Sequence, residues 1–469
     1  MNPFDAASPF DARYYFADPD FFARLHPYVS EFAQVRYLAR VEAALAETLA
    51  ENRVCSKGVA EEIAKACAAV TPEEVYEEER RIQHNIRALV NCIGKRVSPD
   101  ARRFVHLFAT SADIMDTARA LCLTEVTRNV LMPGLVALLR QLIAMARAHA
   151  ETPQMGRTHG QHAVPLTFGF AVAQYVSRIG QRMETIDRAA KNLRGKFAGA
   201  VGAYNALSLL TSDPAKVEAA LMRKLGLQPP DISTQVTQPE YVADYVYALA
   251  SCWGVFANLA DDFRHLQRSE IRELRDRKAA DPNTAVVGSS TMPHKVNPKD
   301  FENVKSLWKA YVPRLLTVLM DQVSEHQRDL TNSASMRFVT EFVAAFAYAV
   351  HRLSGSLDAV EPDVARMREV LEAGKDPVTA EPLYVLLALH GHPDAHEAAR
   401  VLARDARVQG RPLAELAASS REIAPYLAKL TAAQRKVLDD PARYFGTATE
   451  VTRALCDAWE KKLGSERAG

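Results

Sequence analysis

An all-α fold, organised as three helical domains around a central long-helix bundle, is what three features of this sequence predict. Apolar residues recur with a helical period through most of the 469 residues. No series of alternating, turn-bounded segments marks out a β-sheet. The longest apolar stretches also carry Gly or Ala at many turns, as closely packed bundle helices do.

The elements follow in chain order. A helical pattern over 30–53 lies in a first domain, 1–110, which closes near the non-helical "HLFATSAD". In "GLVALLRQLIAMARAHAE", Leu135, Leu138, Leu139, Leu142, Ile143 and Ala146 fall at i, i+3, i+4, i+7, i+8 and i+11, one face of a helix. Further patterns over 165–196, 238–275, 302–325 and 338–355 complete a central domain, 111–360. From 361 to 469 the helices shorten and Pro and Gly become more frequent, which marks a small C-terminal domain.

Composition narrows the function classes. Lys and Arg number 58 against 57 Asp and Glu, a formal net charge of +1, so neither a polyanion such as nucleic acid nor a membrane surface is expected as the main partner. The six cysteines (Cys55, Cys67, Cys92, Cys122, Cys252, Cys456) are scattered, which fits buried thiols in a reducing compartment. The N-terminus has no basic segment ahead of an apolar one, and Asp5 and Asp11 interrupt it. The least charged segment picked out, 245–260, falls short of the roughly 20 residues that span a bilayer. A cytoplasmic protein is expected.

Chemistry concentrates in a few stretches. P-loop, dinucleotide-binding and zincin motifs are missing, and no cofactor is expected. "HGHPDAH" (390–396) places three histidines in seven residues, but with no further ligand near in sequence it reads as a turn followed by a helix start, and no metal site is assigned. "VVGSSTMPHKVNPKDFEN" (286–303) stands out, because two hydroxyls, a His-Lys pair and two prolines interrupt an otherwise helical chain.

"GSSTMPHKVNP" resembles the signature loop of the fumarase/aspartase superfamily, whose members eliminate fumarate from a succinyl group. "HLFATSADIMDTA" (106–118) and "GRTHGQHAVPLTFG" (156–169) resemble that superfamily's other two blocks, in the expected order. "SPFDARYYFAD", "RTHGQ", "GAVGAYNA", "TQVTQPEY" and "QRDLTNSASMR" are similar to the adenylosuccinate lyases within it, from about residue 8 to 340 and more weakly beyond. Two positions depart from that family's usual pattern: Ala12, often Gly, and His84-Asn85, often His-Asp.

The resemblance implies fumarate elimination from adenylosuccinate to give AMP, and from the related succinylcarboxamide ribotide of purine synthesis. It assigns Ser289 as the base, Lys295 as the cation facing a substrate carboxylate, and Asn297 as a neutral donor. His159 becomes the acid for the departing nitrogen, with Thr158 a neighbouring substrate contact and Glu302 the partner that keeps His159 protonated. His84 assists proton transfer or holds substrate, and His106 lies near the phosphate. Thr110 and Ser111 are donors to the succinyl carboxylates, though as small hydroxyls they equally suit a helix N-cap. Arg13, Tyr14, Arg328, Ser333 and Arg337 match phosphate and ribose contacts, and Gln235 completes the set. The resemblance also implies a homotetramer whose sites are shared between chains. Two other readings stand beside this one. One is another superfamily lyase or cycloisomerase acting on an aminodicarboxylate or carboxymuconate; the other is a catalytically silent protein on the same scaffold.

Overall fold

The computed structural model describes residues 6–277 and 287–465. Long helices dominate it: Glu31–Glu51, Phe168–Lys191, Glu240–Leu266 and Val339–Ala359, with Ser111–Val126 running through a π turn at Thr127–Leu131 into Met132–Ala148. The all-α class holds. One predicted helix is cut short: the 302–325 pattern divides into Lys299–Tyr311 and Arg314–Met320 at Pro313, whose ring cannot continue a helix.

Two short antiparallel ribbons were not foreseen. Pro153–Thr158 pairs with Gln161–Thr167, and Leu274–Asp276 with Val360–Pro362. The first takes the beginning of the helix expected over 165–196. Its register shifts between Met155 and Arg157. Gly156 sits at that bulge because a Cβ there would overlap the Val164 carbonyl.

By contacts the chain divides into two compact units, one of 1–135, 181–257 and 304–352, the other of 136–180, 258–303 and 353–469. In the first, Trp253 is fully buried, stacked on Tyr311 at 6.0 Å and met edge-on by Phe342 and Phe346. These rings bring the Glu240–Leu266, Lys299–Tyr311 and Val339–Ala359 helices together. In the second, Leu383, Leu387, Leu402, Ala406 and Leu413 form a separate core in the C-terminal segment. There the C-terminal helix Ala448–Ser465 also lies so close to Phe168–Lys191 that a Cβ at Gly180 would run into the Trp459 ring.

By length and composition alone, the continuous Ser111–Ala148 helix could cross a membrane. Its acidic residues are engaged as those of a protein interior are. Asp113 pairs with Lys196, Asp116 accepts from the Thr237 N–H at 2.9 Å, and Glu125 takes two hydrogen bonds from Arg40 and one from Tyr37. "HGHPDAH" is a turn and a helix start: His392 Nδ1 accepts from the Asp394 N–H, and Asp394 caps the Ala395–Gln409 helix.

Candidate active site

His159 stands at the tip of the first ribbon. His159 and Gly160 both have positive φ, 54° and 72°, the signature of a two-residue type I′ turn between Thr158 and Gln161. Histidine tolerates the left-handed region better than most residues, and the turn leaves both His159 and Thr158 exposed. The root of the ribbon is fixed by charge. Glu273, fully buried, accepts from Arg157 at 2.5 and 3.2 Å and from Gln154 at 2.7 Å. A carboxylate sequestered so far from water is tolerable because both its oxygens are matched.

The signature loop belongs to the same unit. Asn297 Nδ2 donates to the Gly288 carbonyl at 2.9 Å, which closes the loop at its base. Gly288 is required there by close approach, since a Cβ would overlap the Lys295 carbonyl oxygen. Ser289 Oγ accepts from the N–H groups of Met292 at 3.0 Å and Thr291 at 3.3 Å. Two donors on one oxygen favour its anionic form, which is the form a base needs. Lys295 is exposed. Glu302 lies 3.8 Å from Arg264 within the chain, near the start of the Lys299–Tyr311 helix.

The remaining candidates belong to the other unit. His84 caps the Asn85–Gly94 helix, its Nδ1 accepting from the Arg87 N–H at 3.2 Å, so its neutral form carries the proton on Nε2. Asn85 accepts from its neighbour Ile86 N–H at 2.8 Å and points its amide toward Met115. His106 has φ 62°, and its Nδ1 lies 2.6 Å from Glu42 Oε1. Burial opposes its imidazolium, but the Glu42 hydrogen bond and charge outweigh this and raise its pKa above the ordinary value.

Thr110 does occupy the N-cap position of the Ser111–Val126 helix, where its N–H donates to Asp113 at 2.8 Å. Asp113 also takes the N–H groups of Ala198 and Gly199 and the Lys196 ammonium. This ties the "GAVGAYNA" loop to the helix start beside Ser111. Gln235 N–H donates to the Gln327 carbonyl at 3.1 Å, next to Arg328. Both terminal nitrogens of Arg328 are buried with no hydrogen-bond partner among the described residues, although Asp321 is in electrostatic reach. Ser333, Arg337 and Arg13 are exposed, and Tyr14 packs between Phe10 and Tyr348.

Sequence reasoning missed Glu42, Asp113, Lys196 and Glu273. Glu42 had a signal. It follows Leu38 and Val41 and precedes Leu45 on the apolar stripe of its helix, where an acid is out of place unless it has a partner. Among the described residues, no three His, Cys, Asp or Glu converge as a metal's ligands would.

Comparison with known proteins supplies the family. Residues 23–309 match a lyase family, and residues 324–435 match the adenylosuccinate lyase C-terminal family. The adenylosuccinate lyase of Pyrococcus horikoshii is 33% identical over 91% of this chain and 94% of its own. The chain belongs to the adenylosuccinate lyase family. The family's enzyme from Methanothermobacter thermautotrophicus is 32% identical over 90% of this chain and 93% of its own. The C-terminal match extends the likeness past residue 340, where the sequence blocks had faded. Among solved structures, a 3-carboxy-cis,cis-muconate lactonizing enzyme from Pseudomonas putida superposes with a TM-score of 0.81 at 25% identity, covering 94% of this chain and 99% of its own. A fumarate lyase from Mesorhizobium sp. BNC1 shares the fold, with a TM-score of 0.81 at 23% identity over 93% of this chain and 97% of its own.

Proposed function

We propose that this chain is an adenylosuccinate lyase, releasing fumarate from adenylosuccinate to give AMP, and from the succinylcarboxamide ribotide by the same chemistry. The observation that carries the reading is the near end-to-end likeness to proteins of that name, C-terminal segment included. The solved neighbours share only the helical scaffold, which serves several reactions.

The reaction removes a proton from the carbon beside a carboxylate while the C–N bond beta to it breaks. The carbon's electron pair becomes the new C=C bond, and the C–N pair leaves with nitrogen. Ser289 takes the proton, its oxyanion favoured by the Thr291 and Met292 N–H groups. Negative charge builds on the adjacent carboxylate, against which Lys295 supplies an ammonium. His159 gives its proton to the leaving nitrogen. His84, its Nδ1 occupied by the Arg87 N–H, has Nε2–H available as a donor. Asn297 has one amide hydrogen spent on Gly288 and one left for substrate. Arg328, with no partner among the described residues for its terminal nitrogens, is suited to a phosphate, as are Arg13, Arg337 and Ser333, with Tyr14 and Gln235 at the nucleoside. Thr110, Ser111 and Thr158 offer hydroxyls to the succinyl carboxylates.

In this reading Glu302 pairs with His159 of another chain. A homotetramer with shared sites, a three-domain organisation (1–110, 111–360, 361–469), a cytoplasmic location and the absence of nucleic-acid or membrane partners belong to the same proposal. The test is fumarate release from adenylosuccinate by the purified protein, with argininosuccinate as the control substrate. Release from argininosuccinate alone, or from neither, overturns the reading.

A further inference from the structure

The contact between Glu42 and His106 does more than fill a core. Glu42 lies on the inner face of the Glu31–Glu51 helix, 1% exposed. Its Oε1 meets His106 Nδ1 at 2.6 Å, while Oε2 is sealed from solvent with no hydrogen-bond partner among the described residues. An ionised carboxylate so placed is costly without a cation against it. His106 is the group in position to be that cation.

The charges around the ring can be named element by element. Glu42 faces it from the Glu31–Glu51 helix and Asp113 from the Ser111–Val126 helix; both favour the imidazolium. Arg87, from the Asn85–Gly94 helix, opposes it. Cys67, near Glu42 on the Lys57–Ala69 helix, has its thiol pushed up by burial and by Glu42, so it stays neutral and adds no charge. His106 also adopts a left-handed backbone, φ 62°, and Phe108 another at 68°. The ring has Nδ1 turned inward to Glu42. Its side chain keeps 19% exposure, and Nε2 has no hydrogen-bond partner among the described residues. A histidine serving only to neutralise a buried acid would not need that second donor left toward solvent.

We propose that Glu42 is the positioning residue for His106: through Nδ1 it orients the ring and keeps it charged, so that Nε2–H is a permanent cationic donor to the substrate's phosphate. This rests on the adenylosuccinate lyase reading. The consequence is a binding contact that does not fade as pH rises through the ordinary histidine range near 6.5.

The experiment measures AMP binding by calorimetry to the assembled wild-type protein, Glu42→Gln, Glu42→Asp and His106→Gln between about pH 5.0 and 8.5, with adenosine as the phosphate-free control. The range reaches below the ordinary histidine value because burial and Arg87 oppose the imidazolium once Glu42 is gone. AMP's own ionisation is common to all four proteins, so the affinity ratios carry the result. Wild type should exceed His106→Gln by a ratio that stays level across this range. Glu42→Gln should fall progressively behind wild type, by about tenfold at pH 8.5, as its imidazole discharges. Glu42→Asp should recover the level profile, and adenosine should show no pH-dependent difference. A wild-type to His106→Gln ratio that decays through pH 6.5–7.5 overturns the proposal without needing any Glu42 variant to fold. So does a folded Glu42→Gln whose ratio to wild type is constant with pH. If wild type releases fumarate yet gives either of these results, only the Glu42 assignment fails. A wild type that neither releases fumarate nor binds AMP removes the functional reading, and this inference with it.

Discussion

Replacing Lys196 by Met tests whether the buried Lys196–Asp113 pair anchors the "GAVGAYNA" loop. Both side chains are fully buried, and the ammonium lies directly against the carboxylate. Methionine fills similar space but leaves an uncompensated carboxylate. Removing one partner of a buried pair costs about 3–5 kcal/mol. The Thr110, Ala198 and Gly199 N–H groups still donate to Asp113, at 2.8 to 3.2 Å, which places the loss near the lower end, about 3 kcal/mol. Burial already holds the Asp113 carboxyl above the ordinary carboxylate range, against the pull of Lys196. Without the ammonium it rises further. In the window above the unfolded pKa of about 3.9, the folded variant then binds a proton that the unfolded chain does not, so its stability relative to wild type improves as pH falls. The assay is urea unfolding followed by circular dichroism at pH 7.5 and 5.5, for Lys196→Met, Asp113→Asn and the double variant. The double variant should cost about 1–3 kcal/mol less than the sum of the singles. A loss under about 1 kcal/mol for Lys196→Met, or a gap to wild type that widens at pH 5.5, would refute the reasoning.

Other outcomes follow from the site. Arg337→Ala should raise KM for adenylosuccinate, because a charge-assisted contact contributes about 1.5–3 kcal/mol; an unchanged KM removes Arg337 from the phosphate site. Ser289→Ala should lower kcat by about 10²–10⁴-fold while substrate still binds, and Ser290→Ala should be much milder; the reverse order means the base is the other hydroxyl. Gly288→Ala should reduce kcat without loss of secondary structure, since its Cβ overlaps the Lys295 carbonyl and must displace the loop; full activity would contradict the observed loop. Inactive His159→Gln and Ser289→Ala chains, once mixed and shown to exchange subunits, should regain part of the activity; none regained would place both residues of a site on one chain.

Helical period and composition made the fold class legible, because burying one face of a helix leaves a repeat that survives in any single sequence. The ribbon carrying His159 was not legible on those terms. Its strands are short and hold a Gly at the bulge and Pro165, and the turn is His-Gly where Asn-Gly would have announced it. The candidate reacting residues could be named only because their blocks resemble a family. Their supports, such as Glu273 beneath Arg157 and Lys196 beneath Asp113, are single charged residues in helical or loop stretches. Nothing in local sequence tells a buried ion pair from two solvated side chains. Glu42 is the exception, since a charge on an apolar stripe is visible without any structure.

A serine is a weak base in water, and what activates it decides whether the assignment to Ser289 is sensible. The two N–H groups that reach Ser289 Oγ come from Thr291 and Met292, within the same loop. Asn297 holds the two ends of that loop together through the Gly288 carbonyl. Activation by backbone donors therefore travels with the loop, whatever else approaches it. Lys295 is different: it is exposed, so its charge is screened by solvent until substrate or protein displaces the water. In the proposed reading, the loop thus carries a base already favoured toward the anion and a cation still hydrated. On that reading substrate binding has to strip water from Lys295, and that step would strengthen the attraction on the developing carboxylate charge at the place where the elimination needs it.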